Sequence, residues 1–145
     1  MANNARDADP YLGCNFTVEI EGVVAGGFSA VSGLGMEVET ETYREGGRND
    51  MVHALPVATS YGRLVLEHGL VESDTLWRWQ SDIRNGKRTR NTIRIALLDS
   101  EGRQKRDWRC VDAFPVKWSG PDLKASEAQV AIERLEFVHN GLRSG

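Results

Sequence analysis

The sequence predicts a mainly β protein with one α-helix. Apolar and polar residues alternate with a period of two in several segments, as expected for strands that bury one face. Glycines stand between these segments, where tight turns favour them. Residues 73–85, in contrast, repeat their apolar side chains at helical spacing.

The composition is that of an ordinary soluble globular protein. Of the 145 residues, 40% are hydrophobic and 27% are charged, which suffices for one domain with its own core. The net charge of −3 argues against a dedicated nucleic-acid binder, since such proteins are usually basic. No apolar run approaches the roughly 20 residues of a membrane span, and no signal-peptide pattern is present. We therefore expect synthesis in the cytoplasm, reduced Cys14 and Cys110, and a flexible segment at residues 1–9.

The first half of the chain predicts several short strands. Phe16, Val18 and Ile20 alternate with polar residues and indicate a strand with one buried face. Residues 23–28 can return beside it as a short partner, and residues 61–68 predict a further strand.

The most regular strand pattern places Glu37, Glu39 and Glu41 on one face and Met36 and Val38 on the other. Carboxylates are costly to bury, so the acidic face must contact water or a partner. Carboxylate pairs also serve glycosidases, but that chemistry needs a cleft and one raised pKa, which a single strand face does not predict. We expect the apolar face to pack on the protein's own core.

Residues 45–50 have the glycine-rich, polar composition of a loop, and no regular pattern returns before Pro56. A connection of this length without regular structure is uncommon in a compact domain and is often functional. The segment is therefore a candidate functional loop.

Residues 73–85 predict the helix. Ser73 can cap its N-terminus, Asp74 suits the positive end of the helix dipole, and Gly86 can end the helix in the left-handed conformation. About three turns result, with an apolar face that can lie against a sheet.

A hairpin follows the helix. Residues 92–97 alternate as a strand, residues 99–102 form the turn, and residues 104–111 return with Trp108 and Cys110 on one face.

The last apolar segment is ambiguous. Val130 and Ile132 fit one face of a strand, whereas Leu135 and Phe137 are out of phase by one residue. A β-bulge at residues 133–134 restores the phase, and a helix is the alternative. We favour the bulged strand.

No pattern predicts a catalytic, cofactor or metal site. The motifs of nucleotide-binding glycine loops are absent, as is the nucleophile elbow of hydrolases. His53, His68 and His139 occur singly, without Cys, Asp or Glu at the spacing of metal ligands. We expect no enzyme and no cofactor.

Two basic clusters support an alternative function. Residues 87–90 and 103–106 are rich in Lys and Arg, and Trp108 could stack on a base, as in a small nucleic-acid-binding β-barrel. Arginines at strand ends more often keep sheet edges soluble. A third interpretation is that these charges meet acidic surfaces on neighbouring copies.

Several segments, in their order along the chain, resemble one family. They are Asp9-Pro10-Tyr11-Leu12-Gly13-Cys14-Asn15-Phe16, Gly27-Phe28-Ser29-Ala30-Val31-Ser32-Gly33-Leu34, Glu41-Thr42-Tyr43-Arg44-Glu45-Gly46-Gly47, Leu76-Trp77-Arg78-Trp79, Ala113-Phe114-Pro115-Val116-Lys117-Trp118-Ser119-Gly120-Pro121-Asp122-Leu123 and Val130-Ala131-Ile132-Glu133. This order resembles the phage tail tube proteins, including the tube proteins of phage-tail-like contractile injection systems. The resemblance covers residues 9–142, although Cys14 stands where the family more commonly has an aromatic or aliphatic residue.

The resemblance implies a single tail-tube domain over residues 1–145, folded as a small β-barrel or sandwich of two packed sheets with one flanking helix. It implies a structural subunit whose six-membered rings stack into a hollow inner tube. The implied partners are further copies, a contractile sheath protein, baseplate or tube-initiator proteins, tail-terminator proteins, and cargo or DNA in the lumen. The implied location is a phage tail or contractile injection particle. A tube-initiating baseplate protein of the same fold is the alternative within this class.

The resemblance also implies roles for three groups of residues. Glu37, Glu39 and Glu41 are expected to face the lumen, where negative charge keeps acidic cargo from adhering. Asp9, Pro10, Tyr11 and Leu12 are expected to help rings stack. The loop expected to reach neighbouring subunits comprises Glu45, Gly46, Gly47, Arg48, Asn49, Asp50, Met51, Val52, His53, Ala54, Leu55 and Pro56.

Overall fold

The computed structural model describes residues 15–21, 23–25, 28–44, 52–69, 75–126 and 131–145. These residues form mainly strands and one short helix, which confirms the predicted fold class. The elements are β1 (Phe16–Ile20), β2 (Val23–Ala25), β3 (Phe28–Ser32), β4 (Met36–Arg44), β5 (Val52–Tyr61), β6 (Leu64–Gly69), α1 (Thr75–Arg84), β7 (Asn91–Leu98), β8 (Gln104–Ser119), β9 (Ile132–Val138) and β10 (Gly141–Ser144).

Strand β8 connects the two packed sheets of the fold. It is 16 residues long; its first part pairs with β7 and β10, and its last part pairs with β9. The strands follow the order β2-β1-β7-β8-β9-β6-β3, and each described pairing is antiparallel. Asp112 adopts φ 53° where the register with β7 shifts, and a second shift occurs between Pro115 and Lys117. Because bulges bend and twist a strand, these two irregularities let β8 pass from one sheet to the other.

The core lies between the sheets. Its most buried large side chains are those of Phe137, Leu64, Leu66, Ile93 and Leu135. Removing each such side chain from water contributes about 1.5–3 kcal/mol to folding. The inward-facing side chains of strands β1, β6 and β7 therefore belong to one continuous core.

Helix α1 covers one side of this core. Trp79 packs against Phe137 with ring centroids 5.4 Å apart, and its indole Nε1 donates to the carbonyl oxygen of Thr89 over 3.1 Å. Gly86 ends the helix at φ 91°, where its N–H donates to Ile83 O and the next N–H donates to Asp82 O. This is the Schellman arrangement, and it confirms the predicted stop at Gly86. Ser73 and Asp74 lie outside the described residues.

Three predictions about strand boundaries and phase are wrong. Residues 52–61 form β5 rather than irregular chain, and β8 runs on to Ser119 rather than ending near residue 111. Strand β9 is a strand as favoured, but its register with β6 is continuous through residues 133–134, so no bulge is present there. Instead Ile132 is 41% exposed, and Glu133 occupies the inward position.

Candidate assembly surfaces

Strands β4 and β5 form a two-stranded sheet of their own among the described residues. They pair antiparallel from Met36 opposite Tyr61 to Arg44 opposite Val52. The register shifts once, between Glu39 and Thr40. A two-stranded hairpin is at best marginally stable in water by itself, because it has too little surface to bury.

The acidic face of this hairpin carries the three predicted glutamates. Glu37 lies opposite Ser60 and Glu39 opposite Ala58, and Glu41 is also exposed. None of these carboxylates forms an ion pair with a residue that the structure describes. The face is therefore a solvated negative surface in the isolated subunit.

The apolar face of the hairpin is exposed as well. Met36 is 59% and Val38 is 47% accessible, so the expectation that they pack on the subunit's own core is wrong. The reason is geometric: the hairpin stands apart from the two sheets that enclose the core. With both faces open to water, the hairpin has the character of an unfilled protein interface.

The predicted inter-subunit loop is only partly described. Its last part, Val52–Pro56, lies in β5, where Leu55 is exposed and the His53 ring stacks on Tyr43 with centroids 5.4 Å apart. The preceding part, Glu45–Met51, lies outside the described residues. The predicted stacking residues Asp9–Leu12 also lie outside them, as does Cys14.

A basic groove lies beside the C-terminal end of α1. Its cavity of about 390 Å³ is lined by Ile83, Gly86, Lys87, Arg88, Arg90 and Phe114. The guanidinium carbon of Arg90 lies 5.0 Å from the centre of the Phe114 ring, within the range of a cation–π contact. Lys87 lies 3.5 Å from Asp82, and both side chains are largely exposed. Sequence reasoning found the charges of this cluster but not the apolar floor beneath them, because Phe114 comes from a distant strand.

An ionic network around the buried carboxylate of Asp107 joins β1, β7 and β8. Arg94 Nε donates to Asp107 Oδ2 over 2.7 Å, and its NH1 lies 3.1 Å from Glu19 Oε1. Arg109 approaches Asp107 to 3.3 Å. The hydrogen bond from Arg94 lowers the pKa of Asp107 against the opposing effect of burial. Sequence reasoning missed this network because its members are separated along the chain.

The buried histidines belong to the core. His68 Nε2 contacts Glu133 Oε1, although not in hydrogen-bond geometry, and Trp118 Nε1 donates to Glu133 Oε2 over 2.9 Å. His139 Nδ1 lies 3.0 Å from Gly141 O. No group of three metal-ligating side chains occurs within the described ranges. Of the helical residues in those ranges, none form a helix long and apolar enough to cross a membrane.

Burial also governs the one described thiol. Cys110 is fully buried, and desolvation raises its pKa to about 11. A thiol with so high a pKa stays protonated at neutral pH and is a poor nucleophile or metal ligand. Cys110 is therefore a core residue.

Residues 12–143 match the family model of the T4-like virus tail tube protein gp19. The chain belongs to this tail tube family. It is a structural subunit of an inner tube of this type. None of the curated proteins searched matches the sequence.

Several solved structures share the fold of this tail tube protein. A chain of the sheath–tube complex of the extracellular contractile injection system PVC superimposes with a TM-score of 0.87, is 20% identical, and matches over 99% of both chains. A chain of the 6-fold symmetrised baseplate of the anti-feeding prophage gives a TM-score of 0.82 at 26% identity, over 95% of this chain and 97% of that chain. Hcp1 from Flavobacterium johnsoniae gives 0.63 at 15% identity, over 90% and 94% of the two chains.

Proposed function

We propose that this tail tube protein forms six-membered rings that stack into the hollow inner tube of a contractile tail or injection particle. A contractile sheath surrounds the tube. Baseplate or initiator proteins lie at one end of the tube, and terminator proteins lie at the other. Cargo or DNA passes through the lumen. The role is structural, with no catalytic step.

The observation that carries this proposal is the β4–β5 hairpin, which exposes both faces. The apolar face, with Met36 and Val38, fits against a neighbouring copy, since burying those side chains is favourable. The acidic face, with Glu37, Glu39 and Glu41, is then left for the aqueous lumen. Residues 45–56, which follow β4 along the chain, contact the same neighbour. Asp9–Leu12 contribute to stacking between rings.

The two strands at the ends of the strand order support a ring as well. Strands β2 and β3 end the strand order, and an unpaired strand edge is a template for pairing with another chain. A contact between two different surfaces of identical copies closes into a ring when the rotation permits it. Ring closure removes the exposed edges.

Negative-stain electron microscopy of the purified protein, combined with sedimentation, tests the proposal. Six-fold rings or stacked hollow tubes are the expected result. A species that stays monomeric at every concentration, and also in the presence of its baseplate partner, would rule out the tube.

A tube-initiating baseplate protein is the second candidate. It is favoured by one observation: the anti-feeding prophage baseplate chain is 26% identical, compared with 20% for the chain of the PVC sheath–tube complex. The two candidates differ in whether further rings of the same protein add to the first ring. A tube subunit adds such rings, whereas an initiator forms one ring that its own copies do not extend. Stacks of several rings from the purified protein alone would exclude the initiator.

A further inference from the structure

We propose that the basic groove beside α1 binds the N-terminal segment of another copy, residues 7–12, and so connects successive rings of the tube. This inference rests on the proposed function and identifies the two surfaces that stack. The groove consists of Ile83, Gly86, Lys87, Arg88, Arg90 and Phe114.

Charge complementarity is the first argument. The groove carries three cations around an apolar floor, and Arg88 forms no ion pair with a residue that the structure describes. The segment Asp7-Ala8-Asp9-Pro10-Tyr11-Leu12 supplies two carboxylates followed by an aromatic and an aliphatic side chain. Carboxylates bind arginine through charge-assisted hydrogen bonds, while Tyr11 and Leu12 match the apolar floor.

The local chemistry of the segment suits a groove. Pro10 fixes its own φ near −65°, and the residue before a proline favours extended conformations. An extended segment has fewer conformations to lose when it binds, so less of the interaction free energy is spent on ordering.

The distance between the N-terminal segment and the groove of the same subunit favours an intermolecular contact. Leu98 N donates to Asn15 O over 2.8 Å, so the N-terminal segment joins the fold at the Leu98 end of β7. Arg90 immediately precedes Asn91 at the other end of that eight-residue strand, about 24 Å away at roughly 3.4 Å per residue. Tyr11 precedes Asn15 by four residues, which span at most about 14 Å. The backbone at Tyr11 and Leu12 therefore ends short of the apolar floor in the groove of its own subunit, which favours the groove of another copy.

Asn15, which follows the segment, and Arg90 of the groove lie at opposite ends of β7. A contact between opposite ends of identical copies repeats without limit along one axis, which is how a head-to-tail interface builds a filament. The hairpin and the sheet edges act within a ring, whereas this contact acts between rings.

A peptide of residues 2–13, labelled with a fluorophore, tests the contact when it is titrated with the full-length protein at concentrations where that protein is monomeric. We expect saturable binding that weakens in high salt and falls by about tenfold or more in the Arg88→Glu/Arg90→Glu variant. The matched control is Lys124→Glu, a charge reversal on an exposed loop outside the groove, which should keep the wild-type affinity. A peptide with Asp7→Lys and Asp9→Lys should fail on the wild type and regain affinity on the groove variant.

Three results would overturn the inference: no binding to the wild type, equal binding to the groove variant, or equal binding of a scrambled peptide.

Electron microscopy separates failure of the groove contact from failure of the proposed function. We expect the groove variant to form rings without stacks. Normal tubes from that variant would refute the groove contact and leave the tube intact, and normal tubes that do not recruit sheath would assign the groove to the sheath. A wild type without rings or tubes would refute the tube, while the peptide titration still reports on the groove.

Discussion

Asp107 is a buried carboxylate on β8 that remains ionised because Arg94 and Arg109 lie beside it. The Asp107 side chain is only 3% exposed. If its charge is removed, Glu19 is the remaining acidic partner of Arg94 among the described residues. A hydrogen bond to a charged group contributes about 1.5–3 kcal/mol. We therefore expect Asp107→Asn to lower the free energy of unfolding at pH 7 by about 2 kcal/mol, as measured by urea denaturation of the monomer.

The same carboxylate makes stability depend on pH in the acid range. The hydrogen bond from Arg94 holds the pKa of Asp107 below its ordinary value, which is about 3.8. The stabilisation is therefore complete above that ordinary value and is lost as the pH falls through the lowered pKa. The stability difference between wild type and Asp107→Asn should shrink in strong acid. A difference that stays constant down to pH 2 would contradict the assignment, with Asp122→Asn, an exposed position, as the control.

Cys110 yields a second prediction at this scale. Because the thiol is buried and its pKa is raised to about 11, it should not react with a thiol reagent at pH 7 until the protein unfolds. The measurement uses the Cys14→Ser variant, so that Cys110 alone is titrated. Full reaction within the dead time under native conditions would show that the core opens readily.

The connection between β3 and β4 illustrates how one residue determines the course of an element. Gly33 has φ 85°, and a Cβ built there would lie 1.7 Å from Arg63 O, whereas a Cβ at Gly35 meets no atom within 4 Å. We expect Gly33→Ala to destabilise the monomer by more than about 2 kcal/mol, because the backbone must move as well as accept an unfavourable φ. Gly35→Ala is the matched control, with a change within about 1 kcal/mol. Equal unfolding midpoints for the two variants would contradict this close approach.

Most of the elements that could be predicted from the sequence have a pattern that reflects local burial. Strand β1 and helix α1 bury one face against the subunit's own core, so periods of two and of 3.6 residues are visible. Strands β4 and β5 bury neither face within the subunit. Strand β4 was still predicted because its glutamates alternate with apolar and β-branched residues, whereas β5 was missed because its sequence shows no such alternation. Pro56 also weakened the strand pattern, although an open hairpin tolerates proline.

The error in β9 has a different cause. The pattern was interpreted on the assumption that Glu133 points to solvent, but contacts from His68 and Trp118 stabilise it in an inward position. Both partners lie on other strands, so no local pattern could indicate them. The same reasoning applies to Asp107 and to the apolar floor of the basic groove.

For the whole molecule, the hairpin separates stability of the subunit from assembly. Met36 and Val38 are largely exposed in the monomer. The Met36→Ser/Val38→Ser variant should therefore keep its free energy of unfolding within about 0.5 kcal/mol of the wild-type value. Assembly should be lost, since the neighbouring copy no longer gains apolar contacts. Sedimentation and electron microscopy provide the measurement.

The acidic face supplies the matched variant on the same hairpin. Glu37→Gln, Glu39→Gln and Glu41→Gln together should leave both the unfolding midpoint and the tubes intact if these residues face the lumen. Collapse of the tubes would place the glutamates in an interface instead. A loss of monomer stability in either hairpin variant would show that the hairpin packs on its own subunit.

Strand β8 has a mechanical consequence for the subunit. A shear force that slides one sheet of the subunit past the other cannot act on side-chain contacts alone, because the backbone of β8 runs unbroken through both. The load passes along peptide bonds and across the antiparallel ladders on either side of the strand. Covalent continuity therefore joins the two layers, and the core between them does not resist such a force alone.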